Sequence, residues 1–400
     1  MSEDIYFKKI VTFNFEKQSL RFKTSQDLFS SHEVDAGTRF LLRSIFEADY
    51  PPPRGILDMG CGYGPLGLTL KSLFPEAEAH LVDKDALAVQ YTRQNADLNR
   101  LNGVEAYGSL GYDDLKKSDF GLIVSNIPGK AGEPVIAHLL REAGYHLAPG
   151  GLAAIVVVTP LEPFVARTLR ETPGVNIILR RDRPGHTVFH YRFTGRTGEN
   201  PSKSSLERGI YTRREVSLNF AAREFPLRTA YGLPEFDSLD FRTEMLMNAV
   251  KGLQISDIER AAVFNPGQGH LPLVVWGLLQ PRNILLIDRD MLALRYSRLN
   301  LICNGCSPER ISLFHQAGVE LPDRKEIPLW VGVLREDEGP EAIVETVRQA
   351  ARALSSQGLI LLAAGSTAAT RVLSYLQLHK LLHVKDREKR HGFSLLVLQH

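Results

Sequence analysis

The segment Ile5-Tyr6-Phe7-Lys8-Lys9-Ile10-Val11-Thr12-Phe13-Asn14-Phe15 recurs as Ile210-Tyr211-Thr212-Arg213-Arg214-Glu215-Val216-Ser217-Leu218-Asn219-Phe220, 205 residues further on. The same offset carries Asp35 and Thr38 onto Asp240 and Thr243. It also carries Asp83, Asp85, Leu87, Ala88, Tyr91, Arg93 and Asn95 onto Asp288, Asp290, Leu292, Ala293, Tyr296, Arg298 and Asn300. A chain of 400 residues that repeats itself at this spacing folds as two copies of one domain, each large enough for its own core. Between the copies, Thr194 to Ser205 is polar and rich in Gly and Ser, the composition of an exposed linker. The expected organisation is a first domain over 1–197, a linker over 198–205 and a second domain over 206–400.

Composition narrows the class. Hydrophobic residues make up 44% and charged residues 24%, which excludes collagen-like, mucin-like and wholly disordered chains. The longest apolar stretch, Leu152 to Val158, is far too short to span a bilayer, and Met1-Ser2-Glu3-Asp4 does not open a signal peptide. A cytoplasmic location and no membrane partner are the expectations. Lys and Arg number 48 against 46 Asp and Glu, so net charge gives no argument for or against a nucleic-acid partner. The short basic clusters Arg180-Arg181, Arg213-Arg214 and Lys385 to Arg390 read as solvated faces. Three cysteines are too few for a disulfide framework, in keeping with a reducing compartment. Cys303-Asn304-Gly305-Cys306 has no second ligand pair, so it reads as buried thiols and no metal is expected.

In the first copy, short β-rich runs alternate with helical stretches, as in a doubly wound α/β sheet. Strands are expected near 54–58, 78–83, 104–107, 120–126, 152–159, 175–181 and 186–193. The clearest helix covers 85–101, with Asp85 as N-cap and Gly103 just beyond its end. Pro149-Gly150-Gly151 is expected to break a helix and start a strand. Only Asp182-Arg183-Pro184-Gly185 separates the last two strands, which should pair as an antiparallel hairpin at the sheet edge.

The chemistry concentrates in Ile56-Leu57-Asp58-Met59-Gly60-Cys61-Gly62-Tyr63-Gly64-Pro65, a glycine loop between a strand and a helix. Asp58 would repel a pyrophosphate, and Pro65 stands where a dinucleotide loop needs its third glycine. The same carboxylate would attract an ammonium, which the amino-acid end of S-adenosylmethionine carries beside a sulfonium. Asp83, ending the next strand, can accept both ribose hydroxyl hydrogens. Asp119-Phe120-Gly121-Leu122-Ile123-Val124-Ser125-Asn126-Ile127-Pro128-Gly129 is an apolar strand that stops in Asn-x-Pro. The Asn126 side-chain oxygen and the next carbonyl form two acceptors able to clamp an exocyclic amino group, aiming its lone pair at a methyl donor. A glycine-rich turn and a strand-stopping turn are the bland alternatives for these two segments.

Taken together, four segments resemble the small-domain class I methyltransferases typified by bacterial 16S ribosomal RNA guanine-N2 methyltransferases. They are Phe29-Ser30, Asp35 to Leu42, Leu57 to Leu68 and Val124 to Gly132. The resemblance implies two tandem Rossmann-like domains, each a mostly parallel doubly wound sheet with an antiparallel edge hairpin. It implies S-adenosyl-L-methionine as cofactor, contacted by Asp58, Gly60, Cys61, Gly62, Asp83, Lys84, Ser109 and Asn126. Asn126, Ile127 and Pro128 would be the catalytic segment. The implied substrate is an amino nitrogen of an RNA base, ribosomal RNA foremost. A small-molecule or protein acceptor, or a non-catalytic cofactor- or RNA-binding protein, are the alternatives. The family usually shows Asn-Pro-Pro followed by a large side chain, whereas this chain has Asn126-Ile127-Pro128-Gly129.

The second copy reads as degenerate. Aligning Ile56 with Val263, an offset of 207, puts Asn265 at the place of Asp58 and Leu271 at that of Gly64, while Asn126 falls on Val333. The ammonium-holding charge and the amino clamp are both gone, so a non-catalytic second domain is expected.

Overall fold

A computed structural model describes residues 4–28, 30–195, 201–322 and 326–400. By their contacts they form two units, Phe7–Tyr211 and Thr212–His400, the latter including the N-terminal residues up to Tyr6. Phe29 and residues 198–200 of the expected linker lie outside the described residues. Residues 201–211 fold with the first unit: Ser205 N–H and Oγ–H donate to the Asp113 carboxylate at 2.9 and 2.7 Å, and Arg208 pairs with Glu142. The division therefore falls after Tyr211.

The first unit runs β1 (Phe7–Phe15), β2 (Gln18–Ser25), α1 (Ala36–Glu47), β3 (Gly55–Met59), α2 (Pro65–Leu73), β4 (Glu78–Asp83), α3 (Ala86–Leu98), β5 (Val104–Gly108), β6 (Phe120–Asn126), α4 (Glu133–His146), β7 (Leu147–Val158), α5 (Glu162–Glu171), β8 (Val175–Arg183) and β9 (His186–Phe193). Seven strands form one sheet in the order β5-β4-β3-β6-β7-β9-β8, parallel except where β9 pairs with β7 and β8. All of β3 is buried, as expected of a parallel strand covered on both faces. From β3 the chain winds outward to β4 and β5, then returns to lay β6 on the opposite side of β3. This reversal opens a crevice at the carboxyl ends of β3 and β6, where open α/β sheets bind ligands.

The second unit repeats the plan: β10 (Thr212–Phe220), β11 (Arg223–Ala230), α6 (Phe241–Gly252), β12 (Arg260–Phe264), α7 (His270–Leu279), β13 (Asn283–Asp288), α8 (Met291–Cys303), β14 (Ile311–His315), β15 (Ile327–Val333), α9 (Pro340–Arg352), β16 (Leu354–Gly365), α10 (Ser366–His379), β17 (His383–Arg390) and β18 (Phe393–Gln399). Its sheet order, β14-β13-β12-β15-β16-β18-β17, is the same. The expected fold class, edge hairpins included, is the observed one. No helix among the described residues is long and apolar enough to cross a membrane.

Four details differ from the sequence reading. Each unit opens with an antiparallel hairpin, β1-β2 and β10-β11, outside the main sheet; the repeated segment marked its first strand without revealing the pairing. Pro149-Gly150-Gly151 lies within β7, and the pairing of β7 with β6 shifts register across it, so it is an irregularity inside a strand. Cys303 is exposed at the end of α8, and only Cys61 and Cys306 are buried. Finally, strand ends and loop conformation hold the offset at 205 through the glycine loop. Gly60, Gly62 and Gly64 correspond to Asn265, Gly267 and Gly269, all with positive φ. Asp58 therefore corresponds to Val263, not Asn265, and Gly64 to Gly269, not Leu271. The offset becomes 207 by β5 and β14 and stays so at β6 and β15, where Asn126 does correspond to Val333.

The basic clusters behave as solvated faces in part: Arg180 pairs with Glu162 and Asp182, Arg181 with Glu47, and Arg213 and Arg214 with Asp237. β17, which carries Lys385 to Arg390, is exposed throughout.

Candidate active site

Strand β3 delivers Asp58 and then turns sharply. Gly60 N–H and Cys61 N–H both donate to the Val82 carbonyl, at 2.8 and 3.0 Å, which pins the loop to β4. Gly60 and Gly62 have φ of 75° and 57°, the left-handed region that favours glycine. A β-carbon at either would meet nothing within 4 Å, so the space over the loop is open for a ligand. Cys61 turns the other way: its buried thiol lies 3.5 Å from Thr92 Oγ1, and burial raises its pKa well above the usual thiol range. Only its backbone faces the open side.

Asp58 is 1% exposed, and its Oδ2 accepts the Gly67 N–H at 2.8 Å, from the first turn of α2. Burial pushes its carboxyl up to about 7; the Gly67 hydrogen bond opposes the shift and the Asp83 charge adds to it. Gly67, to which no role was given from sequence, is a close-packing position. A β-carbon there would sit 2.8 Å from Asp58 Cβ and Oδ2 and from Leu81 Cδ2. A glycine inside a helix costs about 1 kcal/mol, and that was the signal that something else required it.

Asp83 ends β4 beside the loop. Its Oδ2 accepts Gly62 N–H at 2.9 Å and its Oδ1 accepts Asp85 N–H at 3.0 Å, each oxygen keeping a second lone pair. Burial raises its pKa to about 6; Asp85 adds to this, while the two N–H groups and Lys84 oppose it. Asp85 caps α3 through Leu87 N–H, as expected. Ser109 lies at the same end of the sheet, its N–H donating to the Asp83 carbonyl, but it is buried. Its hydroxyl donates to the Gly111 carbonyl at 2.7 Å, inside its own turn. The same oxygen accepts Asp114 N–H at 3.3 Å, so the Ser109 hydroxyl is engaged within its own loop.

Across the crevice, β6 ends at Asn126. Ser125 Oγ donates to the Met59 carbonyl at 2.7 Å, binding the end of β6 to the start of the glycine loop. Ile127 is buried and its N–H donates to Val156 O at 3.0 Å, so the strand pairing continues past Asn126 and fixes the following segment. The Asn126 amide nitrogen donates to Asp35 Oδ2 at 2.8 Å and lies 3.2 Å from Thr38 Oγ1. Beyond Pro128, Gly129 carries no side chain, and its would-be β-carbon lies 3.7 Å from Val158, which is 37% exposed. Of the residues named from sequence, the structure thus brings Asp58, the loop backbone, Asp83 and Asn126 to neighbouring strand ends. Asp35 and Thr38, repeated positions in one of the family-like segments but given no role from sequence, join them.

In the second unit the corresponding crevice is filled. Arg335, at the position of Pro128, pairs with Asp288 and donates through Nε to Asn265 Oδ1 at 3.0 Å. Asn265 Nδ2 donates to the Val333 carbonyl at 2.9 Å.

The profile of the methyltransferase small domain family matches residues 19–175, which hold every site residue of the first unit named above. The uncharacterized protein YbxB of Bacillus subtilis is 33% identical over 151 residues, 38% of this chain and 74% of that protein. The ribosomal RNA large subunit methyltransferase G of Shewanella pealeana is 31% identical over 160 residues, 37% of this chain but only 38% of the enzyme. Among solved structures, the T. thermophilus 16S rRNA N2 G1207 methyltransferase (RsmC), in complex with AdoMet and guanosine, superposes over 98% of both chains. Its TM-score is 0.69 at 14% identity, a likeness of fold that extends through both units. With a matching profile over the crevice-forming segments and a relative covered over most of its length, the chain belongs to the methyltransferase small domain family.

Proposed function

We propose that the protein transfers the methyl group of S-adenosyl-L-methionine to an exocyclic amino nitrogen of an RNA base, with ribosomal RNA as the substrate. The observation that carries the reading is the juxtaposition of Asp58, the open glycine loop and Asp83 with the Asn126-Ile127 acceptors on adjacent strand ends. In this reading Asp58 and the backbone of Gly60, Cys61 and Gly62 hold the methionine end of the cofactor. Asp83 takes the ribose hydroxyls with its remaining lone pairs, and Lys84 flanks it. Asn126 Oδ1 and the Ile127 carbonyl accept the two hydrogens of the target amine, with Pro128 fixing the turn. The nitrogen lone pair then points at the methyl carbon for in-line displacement: the N–C bond forms as the C–S bond breaks, S-adenosylhomocysteine leaves as a neutral thioether, and the methylated nitrogen sheds one proton to solvent, so the catalytic task is chiefly alignment. The enzyme needs no metal for this step, since the sulfonium is already an activated leaving group. Catalysis resides in the first half of the chain, residues 1–197 in the sequence division, and the second half is non-catalytic. The ribosomal RNA large subunit methyltransferase G of Shewanella pealeana, 31% identical over 160 residues, supports the RNA assignment.

The test is mass spectrometry of ribosomal RNA from cells with and without the protein. A methylated base that disappears with the protein and returns with the unaltered chain, but not with Asn126→Ala, is the expected result. Unchanged RNA, with labelled methyl transferred instead to protein or metabolite fractions, would replace the substrate while keeping the cofactor.

A further inference from the structure

We propose that Asp35 is a positioning residue for methyl transfer: it locks the Asn126 amide with its oxygen facing the acceptor. The inference rests on the role given to Asn126 above and adds a residue 91 positions away in sequence. An asparagine amide can turn over, and turned over it would present its NH2 to an incoming NH2, donor against donor. The Asp35 carboxylate only accepts. Its Oδ2 lies 2.8 Å from Asn126 Nδ2, so the nitrogen must face it and Oδ1 is left for substrate. Thr38 Oγ1, 3.2 Å from the same nitrogen, supplies a second acceptor.

The geometry around Asp35 serves this contact. Asp35 is the N-cap of α1, and the same Oδ2 accepts Thr38 N–H at 3.1 Å, which holds the carboxylate still. Gly37 allows the approach: a β-carbon there would lie 2.9 Å from Asp35 Oδ2 and 2.9 Å from the His186 ring. The second unit separates capping from positioning. There Asp240 still caps α6 through Arg242 N–H at 2.8 Å, but Val333 stands where the amide would be, and the Arg242 guanidinium takes the Asp240 carboxylate. Capping alone needs no asparagine across the crevice.

Asp35→Ser keeps a good N-cap but is too short to reach Asn126, whereas Asp35→Asn can place its amide oxygen where Oδ2 now lies. The assay is single-turnover transfer of labelled methyl to ribosomal RNA from cells lacking the protein, with cofactor titration and Tm on each variant. Asp35→Ser should slow transfer about 10- to 100-fold and leave cofactor affinity within about threefold. Asp35→Asn should restore most of the rate. In an Asn126→Ala background Asp35→Ser should have no further effect, because Asp35 acts through that amide. A normal rate for Asp35→Ser, additive losses in the double variant, or equal losses of rate and affinity in both single variants would each overturn the proposal. If the unaltered protein labels no RNA, the functional reading fails separately, and asparagine-selective 15N spectra decide the geometry. The Asn126 side-chain proton facing Asp35 should shift in Asp35→Ser; an unmoved resonance overturns the lock whatever the acceptor is.

Discussion

Asp58 gives the sharpest quantitative test of the cofactor assignment. Its carboxyl is raised from an ordinary 3.8 to about 7, chiefly by burial. Between those values the folded empty protein holds a proton that the unfolded chain has lost, so stability falls as pH rises through this window. A shift of about three units corresponds to roughly 4 kcal/mol of penalty on the ionised form. A cation placed against the carboxylate relieves that penalty. If the cofactor ammonium lowers the bound pKa below about 5, binding releases about 0.9 proton at pH 6 and about 0.5 at pH 7. Affinity should then rise about fivefold from pH 6 to pH 7. Measurement must stay below about pH 7.5, because the α-amino group of the ligand loses its own proton near 7.7–8.0. Isothermal titration in buffers of different ionisation heat reads both quantities. Asp83, raised to about 6, contributes a smaller step in the same direction, and Asp58→Asn isolates it. That variant should lose most cofactor affinity. Its amide oxygen can still accept Gly67 N–H, so without cofactor at pH 8 it should be the more stable protein. A gain of even about 1 kcal/mol raises Tm by roughly 2–4 °C. A pH-independent affinity with buffer-independent heat, or full affinity in Asp58→Asn, would refute the pairing of this carboxylate with the ammonium.

Three further outcomes follow from the geometry. Asn126→Ala should bind cofactor within a few-fold yet slow single-turnover transfer by about 30- to 1000-fold, roughly 2–4 kcal/mol on the barrier, and near-normal transfer would remove it from the mechanism. Gly67→Ala forces a β-carbon to 2.8 Å from Asp58 and Leu81; overpacking of this kind costs about 1–3 kcal/mol, to be read as a lowered Tm together with weakened cofactor binding. Titration of the whole chain should give one cofactor site, insensitive to Asn265→Ala, and a second equivalent site would contradict the filled crevice of the second unit.

Much of this was legible from sequence because period and punctuation carried it. The seven strands of the first sheet follow from short apolar runs between breakers, and the edge hairpin from a turn too short for a crossover helix. Side-chain direction was not legible. Nothing in Gly108-Ser109-Leu110-Gly111 says that the Ser109 hydroxyl closes on its own turn. Nothing in the position of Asp35, 91 residues from Asn126, says that the two meet. The misaligned glycine loop has a related cause. Matching residue types favoured Asp58 with Asn265, whereas the fold conserves backbone conformation, and an asparagine tolerates the left-handed φ of 50° that Gly60 adopts at 75°.

Backbone conformation is shared between the two units even where the side chains at these strand ends differ. Positive φ persists at Asn265, Gly267 and Gly269, and Gly269 still caps α7, so the loop is intact. The changes fall in matched pairs. Asp58 and Gly67, joined by a buried hydrogen bond in the first unit, correspond to Val263 and Pro272. Acceptor and donor have vanished together. Removing both partners is nearly neutral, whereas removing one strands a buried polar group at about 1–3 kcal/mol, and proline is tolerated in the first turn of a helix, where its missing N–H leaves no intrahelical bond unmade. The remaining carboxylate, Asp288, is buried where Asp83 is only partly so, and it faces a guanidinium, since Arg335 replaces Pro128 and reaches back to it. A buried carboxylate needs a counter-charge, and Arg335 supplies it from the segment that corresponds to Asn126-Ile127-Pro128 of the first unit. The side chain that neutralises Asp288 thus spans the strand ends that correspond to those carrying Asp83, the glycine loop and Asn126 in the first unit.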